Sequence, residues 1–560
     1  MFPCLAVVFI LLQIAFTNSD PLVHLPTGKI LGRKATTLQN VDYFVFEKIP
    51  YAAPPVGSLR FKPPQPHDSW DGVLNTTLLN TTCYQTSRDV DVQSEDCLFI
   101  NVYTPQLPDE NCETSLNVAF YIYGGGFTDG FPQPFTPDLL INNNIIYVTF
   151  NYRLGIFGFL STQDDVIPGN NGLKDQQYAL RWTHQNIHLF GGDPNKITIM
   201  GHSSGGASIA YQLSNPKNKG LFQGAILQSG TYLIPGCFQR NPRKIAFATA
   251  ARLNSHFKTN NNSQDLLEYL RTLDSKTLAK AGADAFKIGN DPENFYLFQG
   301  FVWAPVVEVK NENAFLTEKM YGLLKAGNFV SVPILIGHNS EESVSFASDM
   351  AAFKKQMQVY DDHVDWLVPK DMQILDIKDS TTMGTSIRNI YTRGRAFADN
   401  LRDAVKYCSD TSLNRGIIKY AELFSKSSTA YFYQFSYDGQ LGHRDAPFND
   451  TERVGHGAEL SYLFCYRMSC DISSYPETDR LTRERLLTLW TNFIKYQNPT
   501  PEPSKLLQNV TWPPVKTDDG NFYYLDINEN LKIKNHPKEE RYKAWNALYD
   551  SLGYDDFDTY

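Results

Sequence analysis

The stretch Lys196–Leu213, KITIMGHSSGGASIAYQL, decides how this chain is interpreted. A short apolar run, Ile197–Met200, leads into Gly201, Ser203 and Gly205, and small residues then favour the start of a helix. Glycines on both sides of a serine predict a strand-to-helix turn that is too tight for Cβ atoms. Such a turn holds the serine hydroxyl out at the carboxyl edge of a sheet. The free N–H groups of a helix N-terminus then lie just behind it.

The length and composition of the chain limit its class. Its 560 residues can bury a large core, either as one big α/β domain or as several small ones. Aromatic residues make up 13% of the chain, so most of it is expected to fold. The net charge of −9 indicates solubility, and no basic stripe predicts a nucleic-acid partner.

The N-terminus has the pattern of a signal peptide over residues 1–19. An apolar run, Cys4–Phe16, is broken only by Gln13, and the small residues Thr17 and Ser19 fit a cleavage site. The run is too short for a transmembrane helix, and no other stretch reaches about 20 apolar residues. We therefore expect a secreted protein without a membrane anchor. The alternative is a buried N-terminal strand.

Secretion gives meaning to the cysteines and to the N-x-S/T sequons. Seven cysteines follow the apolar run, so at least one thiol is left unpaired or pairs with another chain. Surface glycans are expected on five asparagines: Asn75, Asn80, Asn261, Asn449 and Asn509.

The mature chain, residues 20–560, is predicted to form a single α/β domain, since no repeat or low-complexity tract divides it. Apolar runs predict buried strands at Asn117–Tyr123, Ile145–Tyr152, Ile197–Met200, Gly224–Gln228, Val332–Gly337 and Tyr431–Tyr437. Between two of them, Leu173–Phe190 predicts a helix. Strands that are apolar on both faces and alternate with helices indicate a large, mostly parallel sheet covered by helices on both faces. Functional groups in such folds collect at the carboxyl ends of the strands.

Other predicted strand ends carry unusual residues. Three glycines, Gly124–Gly126, follow one strand directly and leave backbone N–H groups uncovered, as main-chain binding of an oxyanion requires. Glu342 lies five residues past Gly337, at the end of another strand. Far downstream, His456 lies between two glycines. Each of these features alone is also typical of an ordinary loop.

Together these residues predict nucleophilic catalysis. A serine hydroxyl needs a base within hydrogen-bond reach, and that imidazole needs a carboxylate to fix its tautomer. Ser203, Glu342 and His456 follow the chain order serine, acid, histidine of the strand–turn–helix nucleophile fold. Spacing alone leaves Glu341 and His443 open as rivals. This chemistry calls for no metal and no cofactor.

The chain resembles the type-B carboxylesterase/cholinesterase family of α/β-hydrolases over nearly its whole mature length. Matching motifs occur in register from end to end. They are FEKIPYAAPPVGSLRFKPPQP (Phe46–Pro66), SEDCLFINVYTP (Ser94–Pro105), YGGGF (Tyr123–Phe127), NYRLGIFGFLS (Asn151–Ser161), GNNGLKDQQYALRW (Gly169–Trp182), FGGDPNKITIMGHSSGG (Phe190–Gly206), HGAEL (His456–Leu460) and WTNFIKYQNPT (Trp490–Thr500).

The resemblance implies a role for each matching residue. Ser203 corresponds to the nucleophile, Glu342 to the acid and His456 to the base. The oxyanion donors correspond to the N–H groups of three residues: Gly125, Gly126 and Ser204. Cys83 and Cys97 correspond to the first disulfide of the family, and Ser409-Asp410 resembles a pair near the triad.

Departures from the family pattern narrow the expected substrate. The loop Tyr84–Asp96 contains no Trp, so the choline-binding platform of cholinesterases is missing from its usual place. His202 replaces a Glu before the nucleophile, a pattern similar to secreted insect esterases. Ser204 replaces the usual Ala and Ser343 a usual Gly, while a second disulfide of the family has no counterpart.

The sequence therefore predicts a secreted, glycosylated carboxylesterase that forms an acyl-enzyme on small to medium carboxyl esters. Two alternatives stay open at this point. One is a lipase, although the short loop between Cys83 and Cys97 offers little material for a lid. The other is a catalytically silent adhesion protein, which the complete triad and the missing transmembrane segment disfavour. The physiological ester, the oligomeric state and the pairing of the remaining cysteines are left undetermined.

Overall fold

A computed structural model of the chain describes residues 20–85, 92–108, 115–132, 135–285, 300–442, 448, 452–466, 470–516 and 520–560. The predicted signal peptide, residues 1–19, lies outside the described residues, as do Cys112, His443 and Asn449.

The strands of the described residues form one large sheet and three small ones. In chain order they are β1 Leu22–Leu25, β2 Gly28–Leu31, β3 Arg33–Thr36, β4 Asp42–Pro50, β5 Val73–Asn75, β6 Thr82–Cys83, β7 Gln93–Ser94, β8 Phe99–Thr104, β9 Leu116–Ile122, β10 Phe135–Thr136, β11 Ile145–Phe150, β12 Gly192–His202, β13 Gly224–Gln228, β14 Ile334–Asn339, β15 Ala430–Phe435, β16 Cys465–Tyr466, β17 Tyr523–Ile527 and β18 Leu531–Asn535.

The large sheet has eleven strands in the order β18-β17-β15-β14-β13-β12-β9-β11-β8-β4-β3. Its centre, from β11 through β17, is parallel throughout. Antiparallel pairs occur at both edges. Every residue of β11, β13, β14 and β15 is buried, as the near-continuous apolar runs predict for a parallel sheet covered on both faces.

Helices connect and cover these strands. The α-helices are α1 Asp138–Ile141, α2 Gly155–Phe159, α3 Asn171–Asn186, α4 Ser204–Leu213, α5 Pro242–Leu253, α6 Ser263–Thr272, α7 Ser275–Asp284, α8 Met320–Lys325, α9 Met350–Asp362, α10 Ile377–Thr392, α11 Leu401–Ser409, α12 Arg415–Phe424, α13 Leu460–Leu463, α14 Glu477–Tyr496 and α15 Glu539–Asp550. Asp410–Asn414 forms a π-helical turn between α11 and α12. Short 3₁₀ helices occupy Gly57–Leu59, Ile187–Phe190, Pro216–Asn218, Pro235–Cys237, Ser255–Lys258, Val344–Ala347, Val364–Leu367, Lys370–Met372 and Phe397–Asp399. Within the described ranges, no helix is both long and apolar enough to cross a lipid bilayer.

The predicted parallel sheet and its strands are confirmed, with shifts at the ends. The strand Gly224–Gln228 has the predicted bounds, whereas β12 is longer than Ile197–Met200 and runs to His202. The predicted helix Leu173–Phe190 is two elements, since α3 ends at Asn186 and a 3₁₀ turn follows. These shifts leave the carboxyl ends of β9, β12, β13 and β14 side by side, which is where the site lies.

Candidate active site

The turn from β12 to α4 has the strained backbone expected of a nucleophile elbow. Ser203 has φ 59° and ψ −127°, outside the regions that non-glycine residues ordinarily adopt. Its N–H donates to the carbonyl of Gln228 at 2.8 Å, and its carbonyl accepts from the N–H of Ala207 at 3.0 Å. Two hydrogen bonds therefore hold the strained residue between the neighbouring strand and the first turn of α4.

The elbow packs too closely on β9 to tolerate side chains. A Cβ on Gly205 would lie 2.1 Å from the carbonyl oxygen of Ile122, and one on Gly124 would lie 2.4 Å from that of His202. The loop Gly124–Gly126 thus lies directly against the serine turn, with the Cβ position of Gly124 only 2.9 Å from Cβ of Ser203. The glycines predicted on each side of the site are required by this contact.

Ser204 links the elbow to the glycine loop through its side chain. The N–H of Phe127 donates to Oγ of Ser204 at 3.3 Å. Ser204 is also the first residue of α4, where backbone N–H groups have no partner within the helix. Only its N–H had a role predicted from the sequence, but the hydroxyl also holds the loop that carries Gly125 and Gly126.

Glu342 and His456 lie in direct contact. Nδ1 of His456 is 2.7 Å from Oε2 of Glu342, and the N–H of His456 donates to the Glu342 carbonyl at 3.1 Å. The carboxylate is fully buried, while the imidazole side chain is 29% exposed. A buried acid thus holds a histidine that still reaches the solvent side of the site.

Two residues missed by the sequence analysis hold the second oxygen of this carboxylate. Oγ of Ser229 donates to Oε1 of Glu342 at 2.6 Å, and the N–H of Asn339 donates to the same atom at 2.7 Å. Burial alone would raise the pKa of Glu342, but the charge and hydrogen bond of His456, with these donors, outweigh it. The pKa of Glu342 therefore lies below its usual value. In the sequence, the signal for Ser229 and Asn339 was their position at the carboxyl ends of strands, since Ser229 follows β13 and Asn339 ends β14.

The rival acid, Glu341, belongs to a different environment. Its N–H donates to the carbonyl of Val454, and its side chain is buried near Ser409 and the charged groups of Lys538 and Arg541. Burial is the largest cause that raises the pKa of Glu341 to about 7. The structure brings Glu342, and not Glu341, to His456.

The serine that replaces a family glycine after the acid fits without strain. Ser343 has φ −95° and ψ 10°, which a side chain tolerates. Its N–H donates to Oγ of Ser409 at 2.9 Å. Asp410, which follows Ser409 in the chain, pairs with Arg541 of α15 at 2.6 Å. The Ser409-Asp410 pair therefore anchors the acid loop to the C-terminal helix.

Phe301 forms an apolar wall beside the glycine loop. Its ring carbons lie 3.5–3.7 Å from the Cβ position of Gly126 and 3.3–3.7 Å from that of Gly236. Its side chain is partly exposed, so the ring borders open space rather than the core. No sequence motif singles out this residue.

Six cysteines and four of the five sequon asparagines lie within the described residues. The structure contains a disulfide between Cys83 and Cys97 and another between Cys465 and Cys470. Cys237 and Cys408 are buried free thiols, and burial raises their pKa values. Four sequon asparagines are exposed: Asn75, Asn80, Asn261 and Asn509.

An α/β-hydrolase sheet with a serine elbow and an acid–histidine pair defines the class of protein as a hydrolase. The carboxylesterase family model matches residues 19–545, so the chain belongs to the carboxylesterase family.

Similar proteins agree with this assignment. The chain is 33% identical to esterase FE4 of Myzus persicae over 523 residues, covering 90% of this chain and 89% of the relative. It is 32% identical to juvenile hormone esterase of Tribolium castaneum over 527 residues, covering 89% and 86% respectively. A crystal structure of juvenile hormone esterase from Manduca sexta, with OTFP covalently attached, superposes with a TM-score of 0.80 at 25% identity. That match covers 95% of this chain and 100% of the solved chain.

The family resemblance and the α/β-hydrolase fold predicted from sequence are confirmed, and the chain is a carboxylesterase. The roles of the individual site residues stay predictions.

Proposed function

We propose that this carboxylesterase hydrolyses small to medium carboxyl esters through an acyl-enzyme on Ser203. The observation that carries the proposal is the 2.7 Å contact between Nδ1 of His456 and the buried carboxylate of Glu342. That contact leaves Nε2 of His456 as the nitrogen that acts on the serine. The strained turn at Ser203 supports its role as the nucleophile.

The reaction then proceeds in two halves. His456 takes the proton of Ser203 as its hydroxyl oxygen attacks the ester carbonyl, and Glu342 stabilises the imidazolium that forms. The N–H groups of three residues bind the tetrahedral oxyanion: Gly125, Gly126 and Ser204. His456 gives the proton to the departing alcohol. Water then enters and repeats the sequence on the acyl-enzyme, returning the free serine and a carboxylic acid.

The backbone donors matter as much as the triad. Removing one oxyanion donor costs about 3 kcal/mol or more in other enzymes, which corresponds to at least a hundredfold in rate. The contact of the Ser204 hydroxyl with the N–H of Phe127 supports a fixed distance between the two parts of the proposed oxyanion hole.

We further propose that the enzyme is secreted and carries glycans on its sequons, with residues 1–19 removed as a signal peptide. The exposure of four sequon asparagines and the two disulfides support this.

A juvenile hormone ester is a candidate substrate for this chain, because one of its relatives is named a juvenile hormone esterase. No quaternary-ammonium ester is proposed, because the loop Tyr84–Asp96 has no Trp.

A labelling experiment tests the catalytic proposal. The purified protein is treated with diisopropyl fluorophosphate and analysed by peptide mass spectrometry, beside its hydrolysis of p-nitrophenyl butyrate. We expect one label per chain, on Ser203, and loss of both label and turnover in Ser203→Ala. The matched control, Ser348→Ala, removes an exposed serine hydroxyl and should keep both label and turnover. A label on another residue, or turnover by Ser203→Ala, would refute the assignment.

A further inference from the structure

His202 places a second imidazole beside the proposed catalytic base. It is the last residue of β12, directly before Ser203, and its side chain is 11% exposed. The ring centroids of His202 and His456 are 4.5 Å apart, with their planes 39° from parallel. The Cβ position of Gly457 is 3.3 Å from the His202 ring, so the loop after His456 also packs on it.

Glu459 is the acidic partner of His202. It lies three residues after His456, and its side chain is fully buried. Its Oε1 is 3.9 Å from Nε2 of His202 and accepts from Nε2 of Gln228 at 3.3 Å. Its Oε2 accepts from Nδ2 of Asn339 at 2.6 Å.

One residue joins the two buried carboxylates of the site. The N–H of Asn339 donates to Glu342, whereas its side chain donates to Glu459 and to the carbonyl of Gly455. Titratable side chains from several strands and loops face Glu459. They are His202, Glu342, His456, Tyr121 and Tyr433.

Without His202 beside it, the side chain of Glu459 would change its charge near neutral pH. Burial, and next the negative charge of Glu342, raise the pKa of Glu459 to about 7. Above that pH a second negative charge would lie beside His456, and it would favour the imidazolium form that cannot accept the serine proton.

We propose that His202 is a positioning residue that forms an electrostatic pair with Glu459, in which only one of the two groups carries a proton, so that the pair stays neutral next to His456 while the His202 ring packs on that of His456. The inference rests on the proposed triad. An imidazole and a carboxylate with one proton between them have no net charge, whichever of them carries it. The pair therefore keeps His456 in its neutral, working form over a wider range of pH.

Four variants separate this role from a merely structural one. The pH profile of kcat/KM for p-nitrophenyl butyrate is measured from pH 5 to 9 for the wild type, His202→Gln, Glu459→Gln and the double variant His202→Gln/Glu459→Gln. His188→Gln, on an exposed histidine, is the matched control. Titration with diisopropyl fluorophosphate gives the fraction of competent sites, so misfolded protein does not enter the rates.

We expect the acid midpoint of His202→Gln to rise by about 0.5–1 pH unit, because the remaining carboxylate titrates together with His456. The double variant and His188→Gln should keep the wild-type midpoint, since neither leaves a titrating group unaccompanied beside His456. Glu459→Gln should not raise the midpoint, because the imidazole that remains can carry only a positive charge. An unshifted midpoint in His202→Gln, or a shift that persists in the double variant, would overturn the pairing. Failure of the proposed function differs from both outcomes, because the wild type itself would then show no turnover.

Discussion

Ser229 donates its hydroxyl to Glu342 over 2.6 Å, so the buried carboxylate is held by a serine on the side away from His456. A hydrogen bond to a charged group contributes about 1.5–3 kcal/mol. Ser229→Ala should lower kcat about tenfold and leave KM within a factor of two, because the change affects the acid and not the substrate. Steady-state kinetics with p-nitrophenyl butyrate measure this. An unchanged kcat would mean that the N–H of Asn339 alone holds the carboxylate.

The same substitution at the adjacent acids Glu341 and Glu342 should have a large effect on kcat only at Glu342. Glu342→Gln removes the charge that stabilises the imidazolium and should lower kcat by about 10³-fold or more. Glu341→Gln, the matched control, should keep kcat within about threefold, since its side chain lies among Ser409, Lys538 and Arg541. Rates normalised to titrated active sites distinguish the two. Equal losses would contradict the assignment of Glu342.

The same Glu341→Gln variant should change how stability depends on pH. Burial raises the pKa of Glu341 from 4.5 to about 7. Because the folded state holds this proton more tightly, stability is greatest below pH 4.5 and is lost as the pH rises to about 7. The variant lacks this loss, worth roughly 3 kcal/mol. Its thermal midpoint should therefore gain about 2–3 °C on the wild type between pH 5 and pH 8. A constant difference in scanning calorimetry would mean that Glu341 does not titrate in this range.

Phe301 should limit the size of the ester group that reaches the glycine loop. Phe301→Ala removes the ring that lies 3.5 Å from the Cβ position of Gly126. The ratio of kcat/KM for p-nitrophenyl octanoate to that for the acetate should rise about tenfold, since one or two methylenes in a pocket change binding by that order. Tyr496→Ala, which removes an exposed aromatic ring, is the control. An unchanged ratio would show that the ring does not border the ester.

The parts of the site that come from one continuous stretch could be predicted from the sequence. The elbow around Ser203 and the loop Gly124–Gly126 are each formed by adjacent residues, and their glycines permit the tight turn and the close backbone approach that the site needs. The parallel character of the central sheet could be predicted from the apolar runs of its strands.

The parts that depend on contacts between strands could not be predicted from spacing and periodicity. The choice between Glu341 and Glu342 depends on which side chain faces His456, and adjacent residues after a strand have no periodicity that decides it, so only the family resemblance pointed to Glu342. Ser229 directly follows β13, Asn339 ends β14, and both reach Glu342 through the packing of the sheet. The strand β16, which carries Cys465, pairs with β10, about 330 residues earlier in the chain.

The backbone conformation of Ser203, which supports its proposed role as the nucleophile, lowers the stability of the fold. A non-glycine residue in such a conformation costs about 1–3 kcal/mol, and the surrounding hydrogen bonds keep it there. Ser203→Gly would relieve that cost, so the inactive variant should have a higher thermal midpoint than the wild type in calorimetry. Stability alone would therefore favour a glycine at this turn, whereas catalysis requires the serine.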